Sequence, residues 1–453
     1  MKRSSLVPMA LAVGALAGLP VPARAQSDTS TDQREIFVEL EGRARSRLRL
    51  AVPDPSGIDG LSPLARQAAQ QLIDVLREDL EASGVFQVQG PEQLSVLELT
   101  GDPITDYQLY QALANELLLD AEVIEEPGRL VLEGRVFNLA SANSVLGKRY
   151  RGGFELSRRI AHTFADEVVF YFTGRRGVSL TSIAFHSDRA ASGGREIYLM
   201  DYDGFNQRAI TAHQTLSMSP DWSPGSDFVA YVSYLAGAPG IHRVELRTGR
   251  KAPVMTSGDF NSSPAYSPDG NSIVFSRSVG RGNTEIFLCN ADGSNLRRLT
   301  NSRGIDTNPT WSPTGREIAF TSSRSGTPQI YVMSAEGADL RRVTFLGRYN
   351  DGAAWSPDGT KLAHSARRQD HSFDIAITDL VTLETRYLTE GAPGSHESPS
   401  YSPDGKKLVY AANLSSRSGT TTQIFTMDLD GGGRRQLTRT GNNFAPSWSG
   451  YPK

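Results

Sequence analysis

Asn308-Pro309-Thr310-Trp311-Ser312-Pro313-Thr314-Gly315-Arg316-Glu317-Ile318-Ala319-Phe320 decides how this chain folds, because versions of it return at a nearly fixed interval. Its aromatic-Ser-Pro core appears as Trp222-Ser223-Pro224, Tyr266-Ser267-Pro268, Trp311-Ser312-Pro313, Trp355-Ser356-Pro357 and Tyr401-Ser402-Pro403, and once more, altered, as Trp448-Ser449-Gly450. The steps between aromatics are 44, 45, 44, 46 and 47 residues. A period of this size, carried by short alternating segments and turn residues without a helical pattern, is the signature of a β-propeller with one four-stranded blade per repeat.

Within the Trp311 unit, Pro309 to Ser312 reads as a short first strand and Ser312-Pro313-Thr314-Gly315 as a tight turn, written Ser-Pro-Asp-Gly in three other repeats. A second strand alternates through Ile318, Phe320 and Ser322, a third runs from Gln329 to Met333, and the Arg-bearing fourth, Leu340 to Thr344, suits an outer edge. Sets of second to fourth strands begin near Ile183, Phe228, Ile273, Ile318, Leu362 and Leu408, but the first lacks an aromatic strand before it. Ala445-Pro446-Ser447-Trp448 is an aromatic strand without a blade after it. The two leftovers complete one another, so the expectation is a six-bladed ring closed by pairing the C-terminal strand with the first blade.

Upstream, Lys2 and Arg3 precede an apolar run from Leu6 to Leu19 and the small-x-small pattern Ala23-Arg24-Ala25. This predicts a secretory signal peptide cleaved after Ala25, too short for a comfortable membrane span and with no cysteine nearby for lipid attachment. Its removal takes away three cations and no acid, so the formal charge goes from −3 to −6. A mildly acidic chain is a poor nucleic-acid partner, since neutralising phosphates needs a clustered basic surface. Cys289 is the single cysteine, which excludes an intrachain disulfide and reads as a packed thiol in a blade strand.

Between the signal and the ring, residues 26–177 are expected to form an α/β domain with a polar N-terminal tail, and residues 178–453 the propeller. Glu35 to Leu40 reads as a strand, and Arg43, Arg45, Arg47 and Arg49 alternate as on one strand face, either solvated or receiving an anionic partner. Ser62 and Pro63 open a helix with apolar or small residues at Ala65, Ala68, Ala69, Leu72, Ile73, Leu76 and Leu80, ended by Ser83-Gly84. Phe86 to Val88 is a short strand. Asp106 is expected to cap a second helix, Tyr107 to Leu117. Strands follow at Ala121 to Ile124, Leu130 to Phe137 and Val145 to Phe154, then a helix from Arg158 to Phe172 that buries Ile160, Phe164 and Val168.

Catalytic signatures are missing from the sequence. There is no Gly-x-Ser-x-Gly, His-Glu-x-x-His, Cys-x-x-Cys, P-loop or Gly-x-Gly-x-x-Gly, and no hydrolase domain is expected beyond the last repeat. The histidines show no ligand spacing; His364 and His371 flank one hairpin, which does not make a metal site. No cofactor is expected. The repeated Trp and Tyr side chains belong to the innermost strands and read as packing between blades rather than as a stacking platform. What varies is the polar segment before each aromatic strand. Met218, Phe260, Asn261, Ser263, Asp306, Thr307, Asn308, Asn350, Asp351, His396, Glu397 and Asn443 lie in these six segments, expected to be loops around the channel mouth. They serve either turn chemistry or recognition of a protein or peptide.

Several stretches together resemble one family. Ala161-His162-Thr163-Phe164-Ala165-Asp166-Glu167-Val168, Thr173-Gly174, Ser182-Ile183-Ala184-Phe185 and Tyr198-Leu199-Met200-Asp201-Tyr202-Asp203-Gly204, followed by the Ser-Pro-Asp-Gly repeats, look like the TolB family of the Tol-Pal system. The resemblance covers the whole chain after the signal. It implies a non-enzymatic periplasmic protein that binds the outer-membrane lipoprotein Pal through the propeller residues named above. It also implies contact with TolA through the mature N-terminus, Gln26, Ser27, Asp28, Thr29, Ser30, Thr31 and Asp32, in support of outer-membrane integrity and invagination during division. The alternative from another class is a secreted hydrolase or lyase with its active site in the channel.

Overall fold

The structure is a computed structural model that describes residues 47–190, 193–416 and 419–452. The expected signal peptide, the tail, the strand Glu35 to Leu40, and Arg43 and Arg45 lie outside the described residues. From Arg47 onward the chain forms one compact unit.

Its first part is a five-stranded sheet. Strand β1 (Leu48–Ala51) lies parallel to both β2 (Phe86–Gln89) and β3 (Leu117–Glu126), and β4 (Arg129–Asn138) and β5 (Asn143–Gly152) extend it as an antiparallel meander in the order β2-β1-β3-β4-β5. Helix α1 (Pro63–Ala82) begins where expected, with the Ser62 hydroxyl accepting from Ala65 N at 3.3 Å. Every apolar position anticipated for α1 is buried. Helices α2 (Pro91–Leu94) and α3 (Pro103–Ala112) pack Leu94 and Tyr110 against Ala51 and Leu118 on the other face.

Helix α3 departs from the expectation. Asp102, not Asp106, is its N-cap, accepting from Thr105 N at 3.0 Å, and Pro103 takes the first helical position that proline favours. The Asp106 carboxylate instead accepts the backbone N–H groups of Thr100 and Gly101, and Leu117 belongs to β3. Strand β3 begins at Leu117, four residues before the expected Ala121, and ends at Glu126, while β5 starts at Asn143 and stops at Gly152, so Phe154 falls in a short 3-10 turn rather than in the strand.

Helix α4 (Ser157–Thr173) ends at Gly174, which adopts a left-handed φ of 66°. Ile160, Phe164 and Val168 face the sheet and α1. Phe164 lies so close over β4 that a Cβ on Gly134 would stand 2.3 Å from its ring, and this contact requires glycine there.

Six four-stranded sheets follow. The last pairs Asn443–Trp448 with Ser182–Ser187, antiparallel, so the two ends of the propeller segment share a blade as expected. We call this blade 1 and number the rest in chain order. The outermost strands are short and carry Arg297–Arg298 in blade 3 and Arg341–Arg342 in blade 4. Second and third strands such as Glu317–Ser322 and Gln329–Ser334 are buried on both faces because each blade is sandwiched between two others.

An apolar cluster fills every seam, and the repeat aromatics sit in these clusters. Trp222 packs with Ile197 and Val229, Tyr266 with Ile241 and Phe275, Trp355 with Val332 and Leu362, and Trp448 with Met200 and Val409. Their indole N–H groups also bridge: Trp222 donates to Ser447 O at 2.9 Å and Trp355 to Thr310 O at 3.3 Å. Trp448 donates to Thr181 Oγ1 at 2.8 Å. Cys289 is buried in the seam of blades 2 and 3, and burial pushes its thiol up to about 12, so it stays protonated.

Deleting residues 442–453 therefore removes a whole strand from blade 1 and a buried indole. Truncating a buried Trp alone costs about 3–5 kcal/mol, a large share of the roughly 5–15 kcal/mol that stabilises a typical domain. Calorimetry should show the propeller transition falling steeply; an unchanged midpoint would contradict closure through this strand.

Candidate functional site: the propeller mouth

The segments expected to be loops are the first halves of the innermost strands: Ser217–Trp222, Asn261–Tyr266, Asp306–Trp311, Asn350–Trp355, His396–Tyr401 and Asn443–Trp448. All six contain the same bulge. In blade 4, Thr307 pairs with Thr321 but Thr310 pairs with Ala319, so the inner strand carries one extra residue. The third residue of each strand is left-handed: Ser219, Ser263, Asn308, Gly352, Ser398 and Ala445 have φ between 44° and 63°. The bulge also explains why Pro220, Pro264, Pro309, Pro399 and Pro446 can follow inside a strand, since the unpaired position needs no N–H donor. Asn308 N, freed from the ladder, donates to Ser276 Oγ of the preceding blade at 3.1 Å, and Ser398 N donates likewise to Ser365 Oγ.

The first residue of each strand is buried, and several reach the blade behind it. Five blades contain a clasp between the start of the third strand and a threonine after the fourth: Glu196 with Thr211, Glu285 with Thr300, Gln329 with Thr344, Asp374 with Thr389 and Gln423 with Thr438, at 2.5–2.8 Å. Blade 2 has Gly240 at that place. Asn350 Nδ2 reaches back to Gln329 Oε1 at 2.9 Å, and Asn443 Nδ2 to Gln423 Oε1 at 3.0 Å. Facing the gap at Gly240, Asn261 donates to Ser257 O instead. Asp306 accepts from Ser322 and from the Arg324 guanidinium; burial still holds its carboxyl above the usual range. His396 is pushed down to about 4 by burial, against the pull of Asp374, and is neutral at physiological pH.

Asn261, Asp306, Asn350, His396 and Asn443 thus belong to the seams rather than to an open rim. Second and third positions are half-buried and closer to the channel. Ser263 Oγ donates to Asn308 Oδ1 at 2.6 Å, and Asn308 Nδ2 donates to Asp351 Oδ1 at 2.8 Å, which also accepts from Thr321. This chain runs across three blades. Glu397 accepts from Ser395 Oγ at 2.8 Å, and Thr307 and Met218 remain partly exposed.

One asymmetry was missed in the sequence. The residue just before each inner strand accepts a backbone hydrogen bond from the end of its neighbouring second strand: Leu216 from Tyr234, Phe260 from Ser278, Ile305 from Ser323, Tyr349 from Arg367, Ser395 from Asn413 and Asn442 from Asp188. All six therefore stand at the same end of their blades. Blades 2 to 4 present exposed Leu216, Phe260 and Ile305, with Leu235 and Val279 on the adjoining hairpins, whereas blades 6 and 1 present Ser395 and Asn442. Only Phe260 of these had been singled out. The 44- to 47-residue spacing of 216, 260, 305, 349, 395 and 442 would have found the rest.

His364 is buried, its Nε2 2.9 Å from Thr378 Oγ1, and His371 stands in an exposed turn. Arg47 pairs with Glu81 at 2.7 Å, and Arg49 is exposed on β1. Gln26 to Asp32 lie outside the described residues. Among the described residues, His, Cys, Asp and Glu converge to metal-binding distance at Asp79, His162 and Asp203, at the junction of the α/β part with blade 1. The Arg158 guanidinium already sits on Asp203, and both Asp79 oxygens accept hydrogen bonds, from His162 and from Tyr202.

Residues 170–452 match the family described as TolB beta propeller domain, and residues 36–145 match TolB amino-terminal domain. This chain belongs to the TolB family. A protein from Chlorobium chlorochromatii named Protein TolB homolog is 34% identical over 268 residues, 58% of this chain and 59% of that one. Tol-Pal system protein TolB from Desulfosudis oleivorans is 31% identical over 307 residues, 67% of this chain and 66% of its own. The matched stretches thus span roughly three fifths to two thirds of these relatives. The crystal structure of TolB from Acinetobacter baumannii superposes with a TM-score of 0.75 at 24% identity, covering 90% of this chain and 98% of that one, a likeness of fold.

The seam can be tested separately from binding. Gln423→Leu would leave the Thr438 hydroxyl and Asn443 amide without their buried acceptor. An unsatisfied buried donor costs about 1–3 kcal/mol, and the thermal midpoint should fall accordingly; an unaltered melt would show that this clasp contributes little.

Proposed function

We propose that this chain is a periplasmic, non-enzymatic adaptor of the Tol-Pal system. It docks the lipoprotein Pal on the propeller mouth and TolA through Gln26 to Asp32, supporting outer-membrane integrity and its invagination at division. Support comes from membership of the TolB family and from a relative that carries the name of a Tol-Pal system protein. The observation that carries the docking site is the asymmetric mouth. Leu216, Phe260 and Ile305 expose apolar surface on one arc, beside the rigid Ser263-Asn308-Asp351 chain. Interfaces draw affinity from such apolar anchors ringed by polar groups. In this reading Met218, Ser263, Thr307, Asn308, Asp351 and Glu397 form the polar contacts. The buried first-position residues Asn261, Asp306, Asn350, His396 and Asn443 act by holding them in place.

Ile305→Asp and Phe260→Asp alter exposed side chains outside the seams. Each should weaken Pal binding at least about thirtyfold, the loss that a 2 kcal/mol hot spot produces, while the thermal midpoint stays within a degree or so. Calorimetric titration with soluble Pal decides; wild-type affinity in both variants would move Pal off this arc.

Removing residues 26–34 should abolish TolA capture in a pull-down and leave Pal affinity unchanged. Retained TolA capture by the shortened chain would refute the assignment of the tail.

A further inference from the structure

Helix α4 has a second stripe that the sheet does not use: Arg158, His162 and Asp166, spaced four apart, face blade 1 and the linker. The Asp166 carboxylate accepts the N–H groups of Ser179 and Leu180 at 3.0 and 3.2 Å. Two buried bonds then cross to the propeller. Tyr202 donates its hydroxyl to Asp79 Oδ1 of α1 at 2.5 Å, and the Arg158 guanidinium pairs with Asp203 while lying 3.8 Å over the Phe205 ring. His162 Nδ1 stands 2.6 Å from Asp79 Oδ2. The imidazole therefore positions the carboxylate that receives Tyr202.

We propose that Asp79, Arg158, His162, Tyr202 and Asp203 form a proton-dependent latch between the α/β domain and the propeller, closed while His162 carries its charge. Two carboxylates face one guanidinium, so an imidazolium makes the cluster neutral. A neutral ring leaves a buried negative charge without a counterion, which is costly. The charge lost is the one next to Asp79, on which the Tyr202 contact depends.

The surroundings favour the charged ring. Burial pushes its pKa down, but the hydrogen bond to Asp79 and the charges of Asp79 and Asp203 outweigh burial and the opposing Arg158, leaving it above the ordinary value. Asp79 faces it from α1, Arg158 from its own helix with Asp166 a turn further on, and Asp201, Tyr202 and Asp203 from blade 1. Across the cleft that Asp79 lines, Lys407 is paired with Asp428, and Asp404, Lys406 and Asp430 complete the wall. Because the docked pKa is raised, the latch's contribution is full below the ordinary histidine value and is lost as pH rises through the raised one. The release is passed on: Tyr202 N donates to Thr181 O at 3.1 Å, and Thr181 Oγ1 receives the indole of Trp448.

The full chain permits two readouts. NMR titration should place the His162 ring midpoint above the ordinary value of about 6.5. Trypsin should cut the exposed linker at Arg175 or Arg176 faster as pH passes that midpoint. Normalised to an unstructured peptide, the cutting rate should rise about threefold or more. His162→Gln keeps an amide for Asp79 but cannot take a proton, and the pH step should vanish. A wild-type ring midpoint at or below the ordinary value overturns the proposal, as does the same pH step in the variant. If His162→Gln does not fold, the wild-type titration decides alone.

Discussion

A buried strand edge must find a partner, and in a ring of six sheets this condition meets at one place, the pairing of Asn443–Trp448 with Ser182–Ser187. Every seam needs an inner strand on one side and the second and third strands of another blade on the other. Without the last strand, the clusters around Ile183 and Val409 would open to water and the Gln423 clasp would lose Asn443. Closure also anchors the linker, because Trp448 donates to Thr181. Ring, linker and α/β part thus depend on a contact between residues some 260 positions apart.

The bulge in each inner strand turns this closed ring into a defined surface. A left-handed residue at the third position redirects one N–H sideways to the preceding blade, and the first position reaches back into that blade's clasp. Polar groups at the mouth are therefore divided in two. Buried ones hold blades together, and half-exposed ones are fixed by them without being needed for the seam. Exposed Leu216, Phe260 and Ile305 stand one residue before the inner strand, where a change of side chain leaves the clasps untouched. Stability and recognition can vary independently over a separation of a single residue.

What was legible in the sequence was local or periodic. The repeat, the Ser-Pro-Asp-Gly turns, the Ser62 cap of α1 and the Gly174 end of α4 each depend on a few adjacent residues. The starts of the inner strands were not legible, because a proline after a left-handed residue looks like a loop until the bulge that accommodates it is seen. Asn350 looked like a rim group because its partner, Gln329, lies 21 residues back in another blade. Likewise Asp102 was overlooked as the cap of α3 because Asp106 lies nearer the aromatic part of that helix. The channel-mouth asymmetry was written at the repeat period, but one position upstream of where polarity drew attention.

The domain junction escaped for a different reason. Helix α4 shows an apolar stripe toward its own sheet, and nothing local marks Arg158 and His162 as buried too, against partners 45 and 83 residues away. An apolar contact of the same size would join the two parts more firmly, since buried ion pairs contribute little net stability against well-packed apolar groups. What a polar junction adds is a geometry that holds only when every member is satisfied, and a defined way to lose it. Asp79 serves His162 with one oxygen and Tyr202 with the other, so removing one proton weakens a bond within the α/β part and a bond across the junction together. Separation of the two parts is therefore a coupled step rather than a gradual loosening.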